Sequence, residues 1–261
     1  MRATAIGQAE RSPSWGVLRL AAVIAIGFTT LWSVPVRADF EIPTGGFMSL
    51  ADGGLDLGCT DLIVGGTLQT NSAPVTNVRN LIIQSGGTID AGTSVISVGG
   101  NWSNNGTFNA GTSQVAFSDI CGVNPAVVSG NTAFYDVSFT SSSGKNWQFA
   151  AGSTQTIAHF LSIQGTTPNP VQFASTVPGV VAHIQLLGGQ SIAHVGVTDV
   201  WATGIWLAPY LTNEGGGGNA NRWFGTPDYA RIPTLSQAGL LALILLLAAV
   251  VGGTWSRRRR T

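Results

Sequence analysis

Apolar residues follow two different patterns along this chain. From 39 to 231 no stretch shows a 3.6-residue apolar period, so long amphipathic helices are not expected there. Short apolar and β-branched runs take their place, bounded by Gly, Asn, Asp and Ser. They include Asp61-Leu-Ile-Val64, Asn80-Leu-Ile-Ile83, Val95-Ile-Ser-Val98, Gln114-Val-Ala-Phe117 and Ala133-Phe-Tyr-Asp-Val-Ser-Phe139. Runs of this length with such boundaries predict β-strands. At either end of the chain the pattern changes to one long uncharged apolar run.

The strand-rich middle repeats itself. Gly87-Thr-Ile-Asp-Ala-Gly-Thr-Ser-Val-Ile-Ser-Val98 aligns with Gly106-Thr-Phe-Asn-Ala-Gly-Thr-Ser-Gln-Val-Ala-Phe117 at an offset of 19, with six identities in twelve. Gly66-Thr67-Leu68 precedes Gly87-Thr88-Ile89 by 21, and Phe149-Ala-Ala-Gly-Ser153 echoes Phe108-Asn-Ala-Gly-Thr112 after 41. A period near 20 in a Gly-rich, strand-rich chain predicts an all-β parallel β-helix, or β-solenoid. Apolar residues of successive coils would stack into one core, with Gly, Asn and Asp at the corners. At about 4.8 Å per coil, residues 39–231 predict roughly seven to nine coils and a rod of about 35–45 Å. The alternative is an antiparallel β-sandwich, which does not explain a repeat that preserves Ala91-Gly92-Thr93 and Ala110-Gly111-Thr112. Regularity fades after Gly165. Trp201 to Leu211 is expected to cap the stack, Glu214 to Asn219 to form a flexible loop, and Arg222-Trp-Phe-Gly225 to be a closing strand. The middle resembles the Gly/Thr-rich parallel β-helices of bacterial surface proteins.

The ends read as addresses. Arg2, Arg11 and Arg19 precede an uncharged run from Leu20 to Val36, whose core, Leu20 to Phe28, has the length of a signal-peptide h-region. Val36-Arg37-Ala38 places small or branched residues at −3 and −1, so cleavage between Ala38 and Asp39 is expected, with an uncleaved anchor as the alternative. At the other end, 232–256 holds no charge, and 238–255 as a helix would be about 27 Å long, enough to span a bilayer. Arg257, Arg258, Arg259 and Arg260 follow, and arginine clusters stay cytoplasmic, so the body is expected outside the inner membrane.

Ile232-Pro233-Thr234-Leu235-Ser236-Gln237-Ala238-Gly239 stands just before that helix. Motif, apolar span and arginine tail, in this order, resemble the IPTL-CTERM sorting signal of Gram-negative bacteria, a relative of the PEP-CTERM signals handled by exosortases. Ala238 stands where its members usually carry Trp. The resemblance implies that an exosortase-like, membrane-embedded cysteine transpeptidase recognises Ile232, Pro233, Thr234, Leu235, Ser236 and Gly239 and removes the tail. The body would then pass to the envelope, surface or extracellular matrix. Pro233 disfavours helix at Ile232, which fits an extended, protease-accessible segment; a plain single-pass anchor is the alternative. The expected organisation is therefore signal peptide 1–38, solenoid 39–225, linker 226–231 and sorting signal 232–261.

Charge narrows the partners. Charged residues are 9% of the chain, against roughly 25% in ordinary soluble domains. Between Asp39 and Arg231 there are 11 acids and 4 bases, a net of −7. An acidic body excludes nucleic acid, whose phosphates need clustered Lys and Arg. The expected partners are the membrane, through the C-terminal helix, the transpeptidase, and envelope or matrix polysaccharide.

Candidate chemistry is sparse. Cys59 and Cys121 are expected to form a disulfide in an oxidising compartment. Sixty-two residues, about three coils, separate them, so the bridge requires a corner loop that folds back. His159, His183 and His194 fit no metal or catalytic motif and are read as partly buried structural residues. Asp52, Asp56 and Asp61 read as turn residues, Asp90 and Asn109 as a possible corner stack, and Asn101 and Asn105 as corner residues. No catalytic residue, metal or cofactor is assigned. Three roles follow: a non-enzymatic envelope structural protein, a carbohydrate- or surface-binding adhesin using Trp102, Trp147, Trp201 and Trp206 as stacking platforms, and a β-helix polysaccharide lyase or hydrolase.

Overall fold

The computed structural model describes residues 38–51 and 53–226. The expected signal h-region, the sorting motif, the membrane helix, the arginine tail and Asp52 lie outside the described residues. Among the described residues no helix is long and apolar enough to cross a membrane.

All ladders among the described residues are parallel, which excludes an antiparallel β-sandwich there. Three ladders wind round a common core as the faces of a solenoid. The first face stacks Phe40–Ile42, residues 62–64 and 81–83, Trp102–Asn104, Ala126–Ser129, Asn146–Phe149, Val171–Ser175 and Val195–Thr198. The second stacks Phe47–Ser49, Thr67–Gln69, Thr88–Asp90 and Thr107–Asn109. It resumes with residues 132–134, 155–157, Ala182–Leu186 and Val200–Ala202. The third runs from residues 55–60 and 75–78 through Val95–Val98, Gln114–Phe117, 136–139 and 160–164 to Gly189–Ala193.

Register partners on the first face set the length of each turn. The steps are 22 residues (Phe40 to Leu62), 19 (to Leu81), 21 (to Trp102), 26 (to Val128) and 21 (to Phe149). Trp147 to Phe173 adds 26 and Phe173 to Val197 adds 24, giving seven turns. The 19-residue repeat is in true register: Thr88 pairs with Thr107 and Val95 with Gln114. The Phe149/Phe108 echo is not. Phe108 belongs to the second face and Phe149 to the first, so this similarity reflects the same corner chemistry used one face earlier.

Parallel strands alternate inward and outward side chains, and stacking keeps each inward residue over its counterpart. Leu62, Leu81, Trp102, Val128 and Phe149 form one such buried column. Val98, Phe117, Phe139 and Ile163 form another, in which the Phe117 and Phe139 rings stack at 4.8 Å and 7°. Each buried aliphatic or aromatic side chain contributes about 1.5–3 kcal/mol, which holds the turns together axially where hydrogen bonds alone would not.

Corners obey backbone sterics. Asn71, Gly92 and Gly111 stack at one corner with φ of 56°, 55° and 56°. A Cβ on Gly111 would lie 2.3 Å from the Gly92 carbonyl oxygen, and one on Gly92 2.2 Å from the Asn71 carbonyl oxygen, so these two positions need glycine for space as well as for their left-handed φ. The conserved-in-repeat Ala-Gly-Thr corner is thereby explained.

The stack continues past Gly165 without a break, since the longer turns place their extra residues in loops. At the C-terminal end, Arg222-Trp-Phe-Gly225 is no strand. Trp223 makes a single bridge to Leu207, because neighbouring Arg222 and Phe224 both take positive φ. The Glu214–Asn219 segment is part of this terminal turn rather than a free loop: Gly218 bridges Thr198 and the Glu214 N–H donates to the Val195 carbonyl. Trp223 is buried over the last rung. Covering this edge removes a row of unpaired strand groups.

Candidate functional site

The two sides of the third face end in opposite chemistries. Where the third face turns into the first, the corner is polar and internally satisfied. Asn80 donates from Nδ2 to Asp61 Oδ1 (2.9 Å), the Asn101 N–H donates to Asn80 Oδ1 (2.8 Å), and the Val127 N–H donates to Asn101 Oδ1 (2.7 Å). Side-chain amides thus substitute for backbone partners where strands bend away from one another.

Burial alone would raise the Asp61 carboxyl, but hydrogen bonds from Arg79 (2.7 Å) and Asn80 outweigh it and hold its pKa below the usual range. Arg79 is raised in turn, chiefly by Asp61. Asp56 is held low by the Gly58 N–H and then Asn77, and Asp199 by the Gly179 N–H and then Asn219. Burial acts against ionised Asp119, yet Ser141 and the Ser142 and Ser143 N–H groups keep its pKa low. Asp90 accepts from Asn109 Nδ2 at 2.6 Å, as the corner stack requires. These carboxylates are engaged in holding turns.

The same corner carries the backward loop. After Phe117 the chain leaves the third face and runs back along the corner. A Cβ on Gly99 would be 2.1 Å from the Ile120 carbonyl oxygen, so the loop lies directly on that glycine. Cys121 and Cys59, both with positive φ, form a disulfide with their Cα atoms 5.4 Å apart. This detour accounts for the 26-residue step between Trp102 and Val128.

Where the second face turns into the third, the edge is aromatic. In Thr132–Thr140 the inward residues flanking the bend are Phe134 and Val137, so Tyr135 and Asp136 between them both face outward. In Thr154–Gln164 the inward residues flanking the bend are Ile157 and Leu161, and Ala158, His159 and Phe160 between them all face outward. Two residues opposite three make a β-bulge, a device that re-aims side chains. Tyr135 and His159 stack at 4.8 Å and 13°, and His159 Nδ1 lies 2.7 Å from Asp136 Oδ1.

The next turn sets Leu187, Gly188 and Gly189 beside these residues. The Gly189 Cα hydrogens leave room for the Phe160 ring, whose Cδ2 would lie 3.0 Å from a Cβ there. Leu187 is 58% exposed, and Ile205 stands exposed one rung further. A narrow ridge of partly exposed aromatic side chains, with the Asp136 carboxylate beside it, therefore runs along this edge.

The four tryptophans expected as platforms separate. Trp102 and Trp147 are fully buried, because both occupy inward positions on the first face. Trp201 and Trp206 are partly exposed near the capped end, with their indole N–H groups donated to Asn219 Oδ1 and the Phe224 carbonyl. His183 and His194 are half-buried, but His159 is exposed. Sequence reasoning passed over Tyr135 and Phe160 and read His159 as a partly buried structural residue, whereas it is exposed. Their signal was the slip in apolar spacing, Phe134 to Val137 against Ile157 to Leu161. The residues assigned to signal cleavage end in Ala38 and Asp39, at the start of the described chain, and the sorting-motif and arginine-tail residues lie beyond its end. Comparison with family models, with curated proteins and with solved structures finds no match to this chain.

Proposed function

We propose that this chain is an exported cell-envelope structural protein: a stiff β-solenoid spacer, delivered by an N-terminal signal peptide and processed at, or anchored by, its C-terminal IPTL-type signal. The observation that carries the proposal is the Cys59–Cys121 disulfide, a bond that persists in oxidising compartments outside the cytoplasm. The first strand starts at Phe40, two residues after the proposed cleavage point, so cleavage leaves the solenoid whole. The acidic residues support a non-catalytic body, since Asp56, Asp61, Asp119 and Asp199 are bound within corners. An exosortase-like transpeptidase would act on Ile232 to Gly239, and Arg257 to Arg260 would keep the tail cytoplasmic until it is cut.

The test is cell fractionation with and without the transpeptidase, together with Pro233→Ala/Thr234→Ala. The proposal expects a shortened, disulfide-bonded body in the envelope or medium, and a membrane-held precursor when enzyme or motif is lost. Identical size and location in all three strains would reject the sorting signal. A reduced, full-length chain in the cytosol would reject export.

A further inference from the structure

We infer that the edge formed by Tyr135, His159 and Phe160 is a binding site for a neutral glycan. The inference depends on the export proposal only for where the glycan is met. Sugar rings present patches of weakly positive C–H bonds, which suit the negative face of an aromatic ring, and hydroxyls, which need donors and acceptors at the ring's rim. The edge supplies both. The Asp136 hydrogen bond fixes the His159 ring and the ring stack sets Tyr135 against it, so little side-chain freedom is lost on binding. The Asp136 carboxylate stands beside the rings as an acceptor for hydroxyl protons, and the His159 ring nitrogens add a further polar partner.

The layout along the rod adds a second argument. Successive rungs advance by about 4.8 Å, a step close to that of one pyranose in an extended chain. Phe160 and Leu187 sit on adjacent rungs and Ile205 on the next, so each rung offers an apolar contact to a successive sugar. Gly188 and Gly189 contribute no side chain that would stand above the ridge.

Two other occupants fit less well. A protein partner needs about 800 Å² per side, and an edge two or three residues wide does not provide it. An anionic polysaccharide meets a body of net charge −7. One of its few cations, Lys145, is buried.

Native electrophoresis of the full chain in detergent, through gels containing soluble galactomannan, glucan or xylan, tests the site, with polygalacturonate as the anionic comparison. At least one neutral polymer should retard the protein. His159→Ala and Phe160→Ser, both at exposed positions, should each weaken retardation about two- to tenfold. Phe47→Ser, exposed on the first turn, should leave it unchanged. Retardation by no neutral polymer, by polygalacturonate alone, or equally for all variants would overturn the inference. So would self-association abolished by His159→Ala, which would assign the edge to a second copy. Binding is read on purified protein. A glycan-binding chain that is wrongly sorted fails the export proposal alone, and a correctly sorted chain that ignores neutral glycans fails this one alone.

Discussion

Lys145 donates from Nζ to the carbonyl of Ser118 at 2.9 Å, although 27 residues separate them, and also reaches the Gly99 carbonyl. One side chain thereby fastens the corner between the fifth and sixth turns to the two preceding ones, over the face of Trp147. Burial lowers its pKa from 10.5 to about 8, only partly opposed by Asp119. A lysine whose folded pKa lies below its unfolded value binds fewer protons when folded, so its contribution to stability rises with pH across that window. Below pH 8 the full penalty of the buried charge is present, and it is relieved between about pH 8 and 10.5, by on the order of 3 kcal/mol. Urea midpoints should therefore rise over this range relative to Lys145→Met. Parallel pH profiles for the two proteins would show that the ammonium is not desolvated.

The Cys59–Cys121 bridge closes a loop of 62 residues in the unfolded chain. Loop-closure entropy for that length corresponds to about 4 kcal/mol of stabilisation. Reduction, or Cys59→Ser with Cys121→Ser, should lower the unfolding free energy by roughly that amount. It should also open 118–125 to proteolysis before the strands beneath it. A reduced protein with unchanged denaturation and cleavage pattern would refute the role of the bridge as a strap.

How much of this was legible beforehand depended on what repeats. Turn-defining residues such as Gly92 and Gly111 recur because a stacked left-handed corner favours glycine, with Asn71 in the same column one turn earlier, so period and parallel topology were readable. Inward positions were readable only where strict alternation held. Trp102 and Trp147 look like binding aromatics in isolation, and only register shows that they point inward. The aromatic edge arises from one extra outward residue at a bulge, which a periodic reading smooths over. The backward loop was foreseeable as a geometric necessity of a bridge between Cys59 and Cys121, but its path over Gly99 was not.

Tryptophan replacement separates the two roles. Trp102 touches Phe108, Phe117 and Phe134 within the core and donates its indole N–H to Thr132 Oγ1. Trp102→Ala should cost about 3–5 kcal/mol, the range for deleting a large buried aromatic. Trp201 is partly exposed and holds Asn219, so Trp201→Ala should cost about 1 kcal/mol. Chemical denaturation of both variants decides this, and equal losses would mean that Trp201 belongs to the core.

Glycine corners provide a sharper comparison, because two of them share a backbone conformation and differ in surroundings. Gly111 (φ 56°) would bring a Cβ within 2.3 Å of the Gly92 carbonyl oxygen, whereas Gly152 (φ 76°) has nothing within 4 Å. Left-handed strain alone costs an alanine about 1–2 kcal/mol. Gly152→Ala should pay only that strain. Gly111→Ala must in addition push adjacent turns apart, so its loss should be at least about double, with the effect spreading to hydrogen exchange at Thr112, whose N–H donates to the Gly92 carbonyl at 2.8 Å. Equal destabilisation of the two variants would show that the corners are spaced more loosely than direct stacking requires.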